Sequence, residues 1–167
     1  SPMQIVRRYT EWANDYQENQ ITIVYDTMWN GTKRLAEKIA EGIRSSDPEI
    51  VVKVYNLPKS DVNDVITEVF KSKAVLIGSP TITNTILHSV AGFINLMKGL
   101  RFKNKKAAAF GCYGWSGESV KIISDLMAAA GFEILSEGFK NQWNPDGNAE
   151  VAAVEFGRMT AKSLTGT

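Results

Sequence analysis

Three features predict a doubly wound α/β fold: a five-stranded parallel sheet of order 2-1-3-4-5, helices on both faces, and an extra N-terminal helix. Short apolar segments and longer amphipathic segments alternate five times along the chain. The third apolar segment, residues 73–78 (KAVLIG), is apolar almost throughout, as expected of a strand covered on both faces. The segments between strands are long enough for helical crossovers, which make neighbouring strands parallel, and five such units fit that order. With 167 residues, 44% of them apolar, the chain has the size of one domain and the means to bury a core. The expected layout is a linker helix over residues 1–19 and one α/β domain over residues 20–167.

The first strand is residues 20–25 (QITIVY). From Gly31 to Arg44 the spacing is helical, with Leu35, Ile39 and Ile43 at i, i+4 and i+8. Asp47-Pro48 marks a turn, and residues 50–55 (IVVKVY) form the second strand. Asp61 is the expected N-cap of a helix running to about Phe70. The third strand stops at Ser79-Pro80, and residues 86–98 form a helix with Ile86, Val90, Phe93, Ile94 and Met97 on one side. Residues 106–111 (KAAAFG) are the fourth strand, and residues 116–130 a helix closed by Gly131. A weaker, glycine-interrupted strand runs from Phe132 to Phe139, and a last helix from about Gly147 to Leu164. Ahead of the first strand, Ile5, Tyr9, Trp12, Ala13 and Tyr16 share one face of a helix. That helix reads either as packed on the domain or as a linker from an upstream one.

The net charge of +1 gives no pull towards nucleic acid or membrane. A single cysteine, Cys112, excludes an internal disulfide and a cysteine-based zinc cluster. A single histidine, His88, excludes catalytic histidine pairs and multi-histidine metal sites, so no catalytic or metal-ligating residue is assigned. No apolar run would span a membrane, and the N-terminus, with Arg7, Arg8 and Glu11, lacks a signal peptide's apolar centre, so a cytoplasmic location is expected. Cys112 reads as a small buried packing residue and His88 as a surface or packing residue. The basic run Arg101, Lys103, Lys105 and Lys106 reads as a solvated loop at the far end of the sheet from the expected site.

In this architecture ligands lie beyond the carboxyl ends of the strands, beside strand 1. The loop after strand 1 reads Thr27, Met28, Trp29, Asn30, Gly31 and Thr32. It ends where a helix begins, whose free N–H groups and positive dipole end attract phosphate. Thr27, Asn30 and Thr32 add neutral donors, and Gly31 permits close approach. Taken alone, the loop reads equally as an ordinary polar βα turn. The loop after strand 3 carries Ser79, Pro80, Thr81, Ile82, Thr83 and Asn84. Its backbone can meet the polar edge of a flat heterocycle and Ile82 its face; taken alone, a plain helix-starting turn is the better reading. The loop after strand 4 carries Gly111, Cys112, Tyr113, Gly114, Trp115, Ser116 and Gly117. Its glycines and aromatics suit a planar ligand. Together the loops describe a phosphorylated planar ligand across the sheet's end, and FMN has that shape.

The segments ITIVYDTMWNGT, GSPTITN and FGCYGWSG, with YDTMW and YGWSG the most specific, resemble the flavodoxin-like domain of the flavodiiron proteins, the family that includes the flavorubredoxins. The stretch SPMQIVRRYTEWANDYQ resembles the segment joining that domain to the upstream one. The resemblance implies non-covalent FMN held by Thr27 to Thr32 at the phosphate, and by Pro80 to Asn84 and Cys112 to Gly117 at the ring and ribityl chain. It implies electrons received from a rubredoxin or a rubredoxin reductase and passed to a diiron centre in an upstream metallo-β-lactamase-like domain, which reduces oxygen or nitric oxide. The full-length protein is then expected as a homodimer or homotetramer, and this chain as an excised or truncated redox module. The chain has no His-x-Glu-x-Asp-His motif, so that iron site is not expected here. The alternative is a free-standing flavodoxin or FMN-dependent quinone reductase. A phosphorylation receiver would need clustered acids after strand 1, where only Asp26 stands, and a low-molecular-weight phosphatase would need a Cys and an Arg in that loop.

Overall fold

The computed structural model describes residues 16–27, 31–81, 86–113, 118–142 and 147–165. Strands β1 (Gln20–Tyr25), β2 (Val51–Asn56), β3 (Ala74–Gly78) and β4 (Lys106–Tyr113) lie parallel, and helices α1 (Gly31–Ser46), α2 (Val62–Lys71), α3 (His88–Leu100), α4 (Glu118–Ala129) and α5 (Gly147–Thr165) connect and flank them. The sheet order is β2-β1-β3-β4-β5, with β5 the short strand Glu133–Ile134, as the alternation of elements predicts. Register starts at Gln20 opposite Val51, Ile21 opposite Ala74 and Ala74 opposite Lys106. Tyr25, Gly78 and Phe110 therefore line up near the carboxyl edge, where β1, β3 and β4 release their loops.

The alternation of side chains divides the core. Val24, Val75, Ile77, Ala107 and Ala109 face α2, α3 and α4, while Ile21, Ile23, Leu76, Ala108 and Phe110 face α1 and α5. Asp61 caps α2 as expected, its side chain accepting from Asn63 N–H at 2.8 Å. Gly131, at φ +97°, ends the turn after α4 in the left-handed region that glycine favours. α1 and α5 meet backbone to backbone: a Cβ on Gly42 would stand 1.9 Å from the Val154 carbonyl oxygen, and one on Gly157 would stand 2.1 Å from that of Ile39.

Three expectations change. The strand expected over Phe132 to Phe139 is two pieces, β5 (Glu133–Ile134) and β6 (Phe139–Gln142), paired with the start and the end of β4 respectively. Ser136 and Glu137 bend out between them and Gly138 returns the chain at φ +91°, where a Cβ would strike Val120 and the Ala109 carbonyl. Tyr16 to Asn19 are not helical. Tyr16 instead stacks on Phe70 at 5.2 Å, and Glu18 N–H donates to Lys71 C=O at 2.6 Å. The rest of the expected N-terminal helix, including Ile5, Tyr9, Trp12 and Ala13, lies outside the described residues.

The third change is Lys105, which is 1% exposed rather than solvated. Its ammonium donates to the carbonyls of Ser72 (2.6 Å), Phe70 (2.7 Å) and Tyr16 (3.0 Å). It also lies 5.9 and 5.6 Å from the ring centroids of Phe70 and Phe102. A cation there satisfies carbonyls left open at the C-terminus of α2 and fastens the lead-in segment to the domain. Arg101 and Lys103 are exposed, as a solvated loop requires.

Candidate functional site

The carboxyl edge of β1, β3 and β4 brings the three loops together. Asp26 N–H continues the sheet by donating to Gly78 C=O at 3.2 Å, and Ser79 N–H donates to Phe110 C=O at 3.2 Å. Ser79, fully buried, fixes the loop after β3 with one hydroxyl: it donates to Pro80 C=O at 2.9 Å and accepts from Leu87 N–H at 3.1 Å. Thr81 N–H donates to Cys112 C=O at 3.1 Å, and the Thr81 hydroxyl accepts from Ser119 N–H at 3.1 Å. Thr81 thus caps the first turn of α4 from a different loop, which gives it a structural duty that the sequence did not announce. Gly111 lets these loops close on one another, since a Cβ there would stand 2.2 Å from the Ser79 carbonyl oxygen.

The part best suited to an anion lies at the start of α1. Gly31 and Thr32 are both buried and the first turn holds no acidic residue. Thr32 is 0% exposed, and among the described residues its hydroxyl meets only the Cys112 thiol, a weak partner. A buried hydroxyl so poorly satisfied is disfavoured by about 1–3 kcal/mol. Placed beside the free N–H groups of a helix N-terminus, it is a donor held ready for an anion. Arg34, the nearby cation, is drawn off into an ion pair with Glu150 of α5, and Lys33 points to solvent. The donors at this end are therefore neutral, which suits a phosphate monoester held by hydroxyls and backbone N–H.

Cys112 is buried, and burial pushes its thiol up to about 11, while a hydrogen bond with the Thr32 hydroxyl opposes that rise. It is a thiol at neutral pH and fills space, as expected. His88 is exposed on α3. Of the expected cofactor residues, Thr27, Gly31, Thr32, Pro80, Thr81, Cys112 and the backbone of Tyr113 converge on this edge. Met28, Trp29, Asn30, Ile82, Thr83, Asn84, Gly114, Trp115, Ser116 and Gly117 lie outside the described residues. The sequence reading missed a tie beside them: Asp26 accepts from Thr27 N–H at 2.6 Å and from the hydroxyl of Ser89 in α3. Its only signal was a lone acid directly after an apolar strand.

The sequence pattern of the flavodoxin family matches residues 23–157. The chain belongs to the flavodoxin family. Membership makes FMN the cofactor, and the poorly satisfied Thr32 hydroxyl at an acid-free helix N-terminus fits its phosphate. Among curated proteins, the anaerobic nitric oxide reductase flavorubredoxin of Escherichia coli O1:K1 / APEC is 48% identical over 162 residues, 97% of this chain and 34% of that protein. Among solved structures, the rubredoxin oxygen:oxidoreductase of Desulfovibrio gigas superposes with a TM-score of 0.87 at 32% identity, covering 98% of this chain and 40% of that one. The flavodiiron protein of Giardia intestinalis gives 0.85 at 29% identity, covering 95% and 39%. The chain thus spans about a third of the length of the curated relatives it matches, and corresponds to the flavodoxin-like part of the flavodiiron proteins. Among the described residues no helix is long and apolar enough to cross a membrane.

Proposed function

We propose that this flavodoxin-family domain is the electron-transfer module of a flavodiiron oxygen or nitric oxide reductase. In this reading it takes electrons from a rubredoxin or a rubredoxin reductase and gives them to a diiron centre in a metallo-β-lactamase-like domain outside this chain. FMN supplies the electron-carrying chemistry when bound. The chain's residues hold and orient it: Thr27 to Thr32 take the phosphate, Pro80 to Asn84 and Cys112 to Gly117 take the ring and ribityl chain, and residues 1–19 lead in from the upstream domain. The full-length protein is a cytoplasmic homodimer or homotetramer in this reading. The observation that carries it is the buried Thr32 hydroxyl, met among the described residues only by the Cys112 thiol, at the N-terminus of α1 and the topological switch beside β1. The similarity to proteins named nitric oxide reductase flavorubredoxin and rubredoxin oxygen:oxidoreductase supports the choice over a free-standing flavodoxin.

The test is an absorbance titration of the purified chain with FMN, followed by a reductase assay. Stoichiometric uptake with the spectrum of a bound flavin is expected, together with no more than slow background reduction of nitric oxide or oxygen by the chain alone. No uptake would remove the flavin reading. Metal-dependent turnover by the pure chain would remove the view that the iron site lies elsewhere.

A further inference from the structure

Asp26 stands directly after β1, half-buried, at the entrance of the loop assigned to the phosphate. One carboxylate oxygen, Oδ1, accepts from the backbone N–H of Thr27 at 2.6 Å; the other, Oδ2, accepts from the hydroxyl of Ser89 in the first turn of α3. Its own N–H is held by Gly78 C=O at 3.2 Å. The residue therefore ties the loop after β1 both to the neighbouring strand β3 and to the helix that follows it. Ser79 holds the other end of the β3–α3 connection through Leu87 N–H, two residues before Ser89.

A carboxylate repels a phosphate, so attraction to the cofactor does not explain an acid at this position. What it holds does explain it. A carboxylate accepts two hydrogen bonds at once, and charge strengthens both. Oδ1 fixes the direction of the peptide that opens the loop, while Oδ2 sets the distance from that loop to α3.

We propose that Asp26 is a positioning residue for the cofactor phosphate, acting through the Thr27 peptide and Ser89. The proposal rests on the FMN reading above. What the site needs is the tether, which a neutral amide still makes though less strongly, so amide and methyl replacements must differ. In Asp26→Asn the side-chain carbonyl still accepts from Thr27 N–H, and the amide NH₂ can donate to a turned Ser89 hydroxyl. In Asp26→Ala both ties are gone.

The experiment measures affinity for FMN and for riboflavin, which lacks the phosphate, in wild type, Asp26→Ala, Asp26→Asn and Ser89→Ala. Hydrogen bonds to a charged group support a loss of about tenfold to a hundredfold in FMN affinity for Asp26→Ala, with riboflavin affinity changed by less than about twofold. Asp26→Asn should recover most of that loss, and Ser89→Ala should lower the FMN-to-riboflavin ratio by a smaller factor. An equal fall for both ligands would make Asp26 a general structural support and overturn the proposal. So would unchanged FMN binding in Asp26→Ala, or an Asp26→Asn variant as weak as the alanine one. Should Asp26→Ala fail to fold, Ser89→Ala and Asp26→Asn decide by the same ratio. A wild-type chain that takes up no FMN is a separate result, which removes the flavin reading itself.

Discussion

The contact between α1 and α5 gives a test of whether this geometry governs both stability and the site. In Gly42→Ala the new methyl would stand 1.9 Å from the Val154 carbonyl oxygen and 2.8 Å from its carbon, both backbone atoms that no rotamer change can move. An ordinary contact needs well over a further ångström, so the helices must separate. That loosens Leu35, Ile39 and Ile43 against Ala153 and Ala161. Such overpacking is worth about 1–3 kcal/mol or somewhat more, while alanine regains about 1 kcal/mol of helix propensity over glycine. With the clash at the upper end of that range, we expect a net loss of about 1–2 kcal/mol in urea unfolding, or a drop of several degrees in Tm. The control is the same substitution in α3: a Cβ on Gly92 meets nothing within 4 Å, so Gly92→Ala should stabilise by about 0.5–1 kcal/mol. α1 also carries Gly31 and Thr32, so Gly42→Ala should weaken FMN binding as well. A Gly42→Ala variant as stable as wild type would refute the steric argument. So would a Gly92→Ala variant destabilised by a similar amount.

Thr32→Val keeps the shape of a buried side chain and removes a hydroxyl that among the described residues meets only a thiol, so the apo chain should gain stability or stay unchanged in thermal unfolding. FMN affinity by fluorescence titration should fall about tenfold or more, and unchanged affinity would mean the hydroxyl faces no phosphate. Burial lowers the Lys105 ammonium from 10.5 to about 8, so between those values the unfolded chain binds the extra proton. Wild-type stability relative to Lys105→Met should be flat below pH 8 and climb by up to about 3 kcal/mol on going to pH 10.5; parallel curves for the two proteins would refute this. With a net charge of only +1, the chain should oppose an anionic, fully reduced flavin less than acidic flavodoxins do. A redox titration should then give a less depressed second potential, and a very negative one would count against charge as the controlling factor.

The alternation of elements was legible because it rests on local periodicity. Leu35, Ile39 and Ile43 announce α1 whatever the rest of the chain does, and KAVLIG announces a strand with two covered faces. What failed was set by partners far away in sequence. Lys105 looked solvated among Arg101, Lys103 and Lys106, because the carbonyls it satisfies belong to Tyr16, Phe70 and Ser72. The outer strand looked continuous because the break depends on Gly138 passing Val120 and Ala109.

The site divides in the same way. Thr32 could be named from sequence because a hydroxyl at the start of a helix after a strand has a local chemical meaning. Thr81 could be named, but its tie to Ser119 N–H could not. Asp26 and Ser89, 63 residues apart, become partners only once the crossover sets α3 beside β1. The residues proposed to touch the ligand are thus more legible than those that hold them in place. The latter are fixed by topology, and their substitution should change which part of a ligand is recognised before it changes whether the chain folds.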